Sequence, residues 1–423
     1  WTISKENFLA NVKAISFLKL RASYGSVGNQ AIAPYGSLAL ANQVDYLFGA
    51  ERVSGYSPGS QLANPTLKWE TSTTFNVGAD FELFDGRLNG SVDVYDKRTT
   101  DMLVYRQLNS SIGYSSQPDN IGEVQNKGIE MTLDGVLLRK GDFVVKAGAM
   151  FTMNKNSIIS LYGDLNNDGI QDDDVANNWF VGQPISIYRQ PKYLGVWQGT
   201  EVYPGSTFNP ATGKWEIGGV QAPVAIDEGT GLPLKDPFTN GTPKPGTPKI
   251  EDKNSDGKID AADAYITSQN PKWIGSFNLN ASYKGFDFSM DIYTVQGITR
   301  NNQFLYDYTA GGDLRGNRNG IKVDYWTPEN PASLYPQPNA GTSPPGMFNI
   351  GLQDASFWRL QNVTIGYKLP SKLLSKLKLN KARVYVTGQN LITETDYQAY
   401  SPEQDLYAYP MTRNLIFGLS LGL

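Results

Sequence analysis

The sequence contains neither cysteine nor histidine. Without cysteine there is no disulfide framework, no thiolate nucleophile and no zinc site built from thiolates. Without histidine, every catalytic triad that uses an imidazole base is excluded. Carboxylate chemistry stays open, since Asp and Glu together number 41. A glycosidase needs two carboxyl groups held at a set separation, and the acidic run at 172–174 gives no sign of such a pair. We therefore expect a protein that is not an enzyme.

Long hydrophobic runs and an excess of basic charge are also absent. No apolar run reaches the length of about 18 residues that a transmembrane helix needs. The net charge is -4, and no basic stretch offsets it, so we expect no nucleic-acid partner. A transmembrane β-barrel stays compatible with this composition, because only alternate residues of its strands face lipid.

The segment from Trp69 to Leu83 shows a sustained alternation of side chains. Its odd positions are apolar or threonine, whereas its even positions carry no large apolar side chain. This period of two predicts a strand that is longer than most strands of soluble proteins. The dipeptide Asp85-Gly86 follows, which is typical of a tight hairpin turn, and a second alternating run begins at Leu88.

Ten such runs predict an all-β fold with ten antiparallel strands. They lie at about residues 18–24, 69–83, 88–94, 129–133, 143–153, 273–283, 286–292, 357–369, 382–388 and 415–423.

The connections between these runs alternate between short and long. The short ones are Asp85-Gly86, Lys140-Gly141, Lys284-Gly285 and 370–381, the last with a helical turn at Leu373–Leu377. The long ones are 28–65, 108–124, 154–271, 300–352 and 392–411. Short periplasmic turns and long outer loops are typical of transmembrane antiparallel β-barrels of the bacterial outer membrane.

Residues 184–198 are the exception to this scheme, because one more spanning strand would break the alternation. We interpret them as an extracellular hairpin or as half of a pair whose mate is not evident, and Pro184 and Pro191 favour irregular structure.

Ten strands of an open sheet would leave two unpaired edges in hydrocarbon. Because the chain also begins at Trp1 without a secretory signal, we expect residues 1–423 to be the C-terminal part of a larger exported barrel.

The segment 252–263 has the ligand spacing of a calcium loop, with oxygen ligands at motif positions 1, 3, 5, 7, 9 and 12. The predicted ligands are Asp252, Asn254, Asp256, Lys258 through its carbonyl, Asp260 and Asp263. We predict that Ca²⁺ pins the long extracellular region 154–271, and the alternative is an acidic turn on a solvated loop. A weaker copy at 164–175 has Val175 at position 12, so we interpret it as such a turn.

The long connections are rich in aromatic residues, and sugars stack on aromatic faces in ligand sites. The predicted substrate-binding residues are Trp179, Trp197, Trp215, Tyr306, Tyr308 and Trp326. For any single ring, packing between loops or contact with a partner protein is the simpler interpretation.

Several segments resemble the SusC/RagA family of TonB-dependent outer-membrane transporters of Bacteroidota. The longest is Asn64–Leu103, and Asn120–Leu133 follows it; EDKNSDGKIDAADAY, FWRLQNVTIGYKLP and VYVTGQNLIT then come in the order of that family. The resemblance implies a barrel of about 22 strands, of which this chain supplies roughly the last half. It also implies a plug and a TonB box outside these residues, coupling to TonB-ExbB-ExbD, and a SusD-like surface lipoprotein as a lid.

The leading hypothesis is active import of oligosaccharides across the outer membrane of a Gram-negative bacterium, with lipid and lipopolysaccharide around the barrel. Import of peptides by the same mechanism is the alternative that the resemblance allows. A passive porin or structural barrel would have no plug and no TonB dependence. A secreted β-rich glycan-binding protein or enzyme is a further alternative, although soluble sandwiches seldom need such long strands.

Overall fold

The structure is a computed structural model that describes residues 1–30, 32–164, 167–305, 324–337, 348–376 and 378–422. Ten long strands form one antiparallel sheet in which each strand pairs with its neighbours in chain order. They are β1 (Ile15–Asn29), β2 (Glu70–Leu83), β3 (Leu88–Thr100), β4 (Glu123–Lys140), β5 (Phe143–Ser160), β6 (Trp273–Tyr283), β7 (Phe286–Gln296), β8 (Phe357–Lys368), β9 (Lys381–Thr395) and β10 (Asn414–Gly422). All ten predicted strands are confirmed.

One face of the sheet is apolar across all its strands, because the register places apolar positions opposite one another. Five neighbouring strands align Ala22, Val77, Val94, Ile129 and Met153 in this way. A second row runs from β5 to β10 and aligns Val145, Ala281, Phe288, Ile365, Val386 and Phe417. Val77 is 43% exposed and Phe417 is 77% exposed. A continuous exposed apolar surface that crosses all ten strands matches the lipid-facing band of a membrane barrel.

The opposite face is polar, and its hydroxyl groups pair between neighbouring strands. Oxygen–oxygen distances of 2.8 Å join Ser72 to Thr99, Ser91 to Thr132 and Thr364 to Thr387. Such a face suits a wet interior, since its hydroxyl groups can also bond to water. The two faces therefore meet two different solvents, as the alternation predicts.

Short connections lie at one end of the sheet and long ones at the other. Asp85 and Gly86 both have positive φ, 58° and 75°. Lys284 and Gly285 also have positive φ, 43° and 91°. Lys284 and Gly285 form a two-residue turn whose left-handed residues match the twist of a tight hairpin. The first turn is longer, and Phe84 is also left-handed there with φ of 55°. The fourth short connection carries the helix Ser371–Lys376, close to the predicted helical turn. The predicted alternation of loop lengths is thus confirmed.

The long connections contain smaller elements that pair outside the main sheet. The strand pairs are Ala41–Phe48 with Glu51–Pro58, Leu103–Gln107 with Ser116–Asn120, Ile187–Pro191 with Ala264–Ser268, Tyr193–Val196 with Pro248–Ile250, Thr207–Asn209 with Lys214–Ile217, Lys214–Ile217 with Val220–Gln221, and Thr299–Asn301 with Leu352–Asp354. The short helices are Gly199–Val202 and Phe348–Gly351, with 3-10 turns at Ile3–Lys5, Ser110–Ile112, Ala261–Asp263 and Gln303–Leu305.

Residues 184–198 do not add a strand to the main sheet, which confirms that expectation. They are half of a pair, and their mates are 248–250 and 264–268. Much of the buried apolar side-chain surface also lies in the long connections, for example at Leu305 and Ile350. No helix in the described ranges is both long and apolar enough to cross a membrane.

Candidate functional site

Three of the predicted substrate-binding tryptophans meet around Gln198 and Gly199, and we name Trp197, Trp215 and Trp326 the tryptophan cluster. The indole Nε1 of Trp326 donates to Oε1 of Gln198 at 3.0 Å. The ring of Trp215 lies against Gly199, where an added Cβ would come within 1.9 Å of Cζ2. Trp326 is 2% exposed and Trp197 is 7% exposed. These two rings pack between loops, which is the alternative that the sequence left open.

An ion pair lies beside the tryptophan cluster. Nζ of Lys249 lies 2.8 Å from Oε1 of Glu201 and 4.6 Å from the centre of the Trp197 ring. Burial acts to raise the pKa of Glu201, but the hydrogen bonds from Lys249 and from the backbone of Gln198 outweigh it, so the pKa lies below its ordinary value. This pair fixes the short helix Gly199–Val202 to the strand that contains Lys249.

Of the other three predicted substrate-binding residues, the structure describes Trp179. Trp179 is half-buried and closes a small turn by pairing its backbone with Asp174. Tyr306 and Tyr308 lie outside the described residues. Ligand contact through any of the six therefore stays a prediction.

The calcium-like segment folds with its carboxylates accepting hydrogen bonds from backbone N–H groups. Asp252 accepts from Gly257 at 2.8 Å, and Gly257 has φ of 81° at the sharp turn that the motif requires. Asp263 is fully buried and accepts from Lys253 at 2.8 Å and from Asp260 at 2.7 Å. These bonds hold the pKa of Asp263 below its ordinary value, with the bond from Asp260 the largest cause.

The weaker copy begins with the same local geometry. Asp164 accepts from Gly169 at 2.8 Å, and Asp168 accepts from Ile170 at 2.8 Å. Across the described residues, no three acidic side chains are grouped as a preformed metal cage. The described residues of each loop therefore make the hydrogen bonds of the motif's turn, and the metal assignment stays a prediction.

A cavity that the sequence analysis missed lies on the polar face, where the connection 161–272 meets the ends of β4 to β6. It measures about 350 Å³, and none of the described residues that line it is charged; we name it the amide cavity. Its polar lining is Asn126, Thr152, Asn154, Asn156, Ser186 and Asn270. Nδ2 of Asn154 and Nδ2 of Asn156 both donate to Oδ1 of Asn126 at 3.1 Å. Such carboxamides can bind neutral hydroxyl or amide groups in either hydrogen-bonding role.

A second cavity of about 420 Å³ lies between the strand Ile187–Pro191 and the connection after β9, and its lining includes Tyr188, Arg300, Tyr397 and Gln404. Burial raises the pKa of Tyr397 to about 12, so its hydroxyl stays a donor, and it bonds to the Asn301 carbonyl at 3.2 Å. Oε1 of Gln404 is buried without a hydrogen-bond partner among the described residues. This cavity thus combines aromatic rings with a buried acceptor that is unsatisfied among the described residues.

The largest of these cavities, about 540 Å³, is of a different kind. It lies on the apolar face between β7 and β10, and Phe286, Ile365, Val386 and Phe417 line it. Its position on the exposed apolar surface suits a lipid chain better than a polar substrate. The polar cavities are therefore the candidate substrate sites.

Comparison with known proteins places the chain in a family. The family model described as "TonB dependent receptor-like, beta-barrel" matches residues 7–391. TonB-dependent receptor P3 of Formosa agariphila is 32% identical over 444 residues, which cover 100% of this chain and 41% of that protein. TonB-dependent receptor SusC of Bacteroides thetaiotaomicron is 28% identical over 443 residues, which cover 100% of this chain and 39% of SusC.

A solved structure has the same fold. The structure of the RagAB peptide transporter superposes with a TM-score of 0.72 at 26% identity, covering 100% of this chain and 42% of that chain. This chain therefore spans less than half the length of the relatives that it matches. Ten paired strands with one apolar and one polar face, and the family match over nearly the whole sequence, show that the chain belongs to the TonB-dependent receptor family and forms part of its β-barrel.

Proposed function

We propose that the protein imports oligosaccharides across the outer membrane of a Gram-negative bacterium, and that this chain supplies barrel wall and outer loops. The observation that carries the proposal is the amide cavity, a neutral polar site on the wet face beneath the long connections. Sugar hydroxyl groups are neutral donors and acceptors, and carboxamides pair with them in both roles. The family is one of receptors and transporters, which accords with a non-catalytic role.

The proposal includes a lid and an energy source, both inferred from the family. A SusD-like lipoprotein would cover the long connections and hold substrate against the cavities. TonB-ExbB-ExbD would act on a plug in another part of the protein. A passive porin is disfavoured, because the family match is to receptors that depend on TonB. A secreted sandwich is disfavoured as well, since the ten long strands form one sheet rather than two stacked ones.

Peptide import is the second candidate, and one observation favours it. The chain superposes on the RagAB peptide transporter, and backbone amides of a peptide would suit the amide cavity as well as sugars do. The two candidates share a mechanism and differ only in substrate. Growth separates them: deletion of the full-length gene should abolish growth on one class of glycan, whereas loss of growth on peptides alone would replace the first candidate by the second.

Binding to the purified full-length protein tests the site itself. Asn270 lines the amide cavity at the end of the sheet that has the long connections. Asn89 lies on the polar face at the other end of the sheet, next to the short turn before β3. We expect Asn270→Ala to weaken binding of the substrate oligosaccharide about 5–10-fold, the value of one hydrogen bond. The control Asn89→Ala should bind as the natural protein does. Equal affinity of both variants would contradict the assignment of this cavity.

We also propose that segment 252–263 binds Ca²⁺ through Asp252, Asn254, Asp256, the Lys258 carbonyl, Asp260 and Asp263. The turn at Gly257 and the all-oxygen donor set support this proposal. The ion would hold the strand Ala264–Ser268, and with it the paired strand Ile187–Pro191, above the amide cavity. Its role would be structural.

A further inference from the structure

A recurrent arrangement crosses the polar face: a side chain lies over a glycine of the next strand and bonds to the strand beyond. Tyr95 of β3 is opposite Gly128 of β4, which is opposite Asn154 of β5. The Tyr95 hydroxyl donates to Oδ1 of Asn154 at 3.0 Å. An added Cβ at Gly128 would come within 2.4 Å of the Tyr95 hydroxyl oxygen. Glycine is therefore what lets the ring pass over β4.

The same arrangement occurs with charged groups elsewhere on this face. Arg383 of β9 bonds to Asp287 of β7 through Nε at 3.0 Å, over Gly366 of β8. A Cβ at Gly366 would come within 2.5 Å of Nη2 of Arg383 and 2.6 Å of Oδ2 of Asp287. In each case the glycine lies between two residues that bond across it.

Tyr385 of β9 repeats the geometry of Tyr95, but at the end of the sheet. Tyr385 is opposite Gly418 of β10, and an added Cβ there would come within 2.0 Å of Cζ and 2.4 Å of the hydroxyl oxygen of Tyr385. β10 is the last strand of the described sheet. Among the described residues, no strand pairs with its far edge and no hydrogen-bond partner of the Tyr385 hydroxyl is found. The ring crosses β10 with its hydroxyl toward that edge.

We propose that Tyr385 is a positioning residue for closure of the barrel. Its hydroxyl donates to a side-chain oxygen on a further antiparallel strand that pairs with the free edge of β10, at the residue opposite Gly418. The occupant is a strand of the same polypeptide outside residues 1–423. Two arguments support it. The far edge of β10 is unpaired in the described sheet, and unpaired strand edges are not stable in hydrocarbon. The relatives are also more than twice as long as this chain. The inference goes beyond the proposed function, because it concerns closure and not substrate.

The test uses the full-length protein in detergent and measures the temperature at which the barrel unfolds, without substrate. Tyr385→Phe removes the hydroxyl and keeps the ring over Gly418. Tyr95→Phe is the internal reference, since it removes a hydrogen bond of the same kind within the described sheet. We expect Tyr385→Phe to lower the unfolding temperature by an amount similar to Tyr95→Phe.

A second variant separates hydrogen bonding from ring packing. If only the ring matters, Tyr385→Ala lowers the unfolding temperature and Tyr385→Phe does not, and this result overturns the proposal. If the Tyr385→Phe protein unfolds at the same temperature as the natural protein, the proposal is overturned whatever Tyr385→Ala does. Because no ligand is added, loss of substrate binding cannot be mistaken for either outcome.

Discussion

The guanidinium of Arg21 reaches across β2 to the carboxylate of Asp93 on β3, with Nη1 2.9 Å from Oδ1 and Nη2 2.8 Å from Oδ2. Arg21 also bonds to Asp80 on β2, where Nε lies 2.9 Å from Oδ2. Gly78 lies directly opposite both Arg21 and Asp93. One arginine therefore ties three strands together on the polar face, and the glycine leaves room for it.

We expect Gly78→Ala to destabilise the barrel. A Cβ at this position would lie 2.4 Å from Oδ1 of Asp93 and 2.8 Å from Nη2 of Arg21. Displacing these groups in a packed site costs about 1–3 kcal/mol, measured as the free energy of unfolding in denaturant. Gly25→Ala on β1 is the control, since no atom of the described residues lies within 4 Å of an added Cβ there. Equal stability of the two variants would show that the hydrogen bonds between Arg21 and Asp93 do not require a glycine at position 78.

The assignment of the two faces predicts opposite results at adjacent positions of β2. Val77 lies in the apolar row, and Asn76 lies on the other face. We expect Val77→Arg to cost about 2–4 kcal/mol, because the charge would enter hydrocarbon. Asn76→Arg, whose side chain meets water, should cost far less. The yield of folded protein in isolated outer membranes measures both, and a reversed order would mean that the apolar face lines the interior.

Acidification should loosen the tryptophan cluster through Glu201. The pKa of Glu201 is lower in the folded protein than its ordinary value of about 4.3. Its charge therefore stabilises the fold above that value, and the stabilisation is lost as the pH falls through the folded pKa. Because Lys249 lies between Glu201 and the Trp197 ring, we expect a tryptophan-fluorescence change below about pH 4.

Glu201→Gln should abolish this acid-dependent change, because glutamine cannot titrate. The control is Glu228→Gln, an exposed position, which should leave the change intact. Persistence of the change in Glu201→Gln would assign it to another carboxyl group.

The ten strands could be predicted from sequence because apolar and polar residues alternate along each of them, as the two faces of the sheet meet different solvents. The lengths were less accurate: β4 extends over Glu123–Lys140, although only 129–133 alternate clearly. Gly128 and Gly135 interrupt the pattern there, and cross-strand pairing rather than side-chain polarity continues the strand. Period two therefore identifies strands better than it locates their ends.

The candidate sites were harder to predict, because their residues come together only on folding. Asn126 and Asn270 line one cavity although 144 positions separate them in the numbering. The strand Tyr193–Val196 likewise finds its mate at Pro248–Ile250, more than 50 residues later. The signal that was available was the run of asparagines at 154 and 156, on the side of β5 that alternation assigns to water. Aromatic content predicts six contact residues without saying which are buried, and the structure buries Trp197 and Trp326.

Removal of calcium tests the loop at 252–263. We expect EDTA to increase protease cleavage within residues 199–271, because the bonds to Asp252 and Asp263 alone would have to hold the turn. Added Ca²⁺ should restore protection, and Mg²⁺ should do so poorly, since it demands a stricter octahedral geometry. Asp256→Ala should make the loop sensitive even with Ca²⁺ present. Asp168→Ala in the weaker copy is the matched control, and it should keep the calcium response. Protease sensitivity that is unchanged by EDTA would show that backbone hydrogen bonds suffice to order the loop.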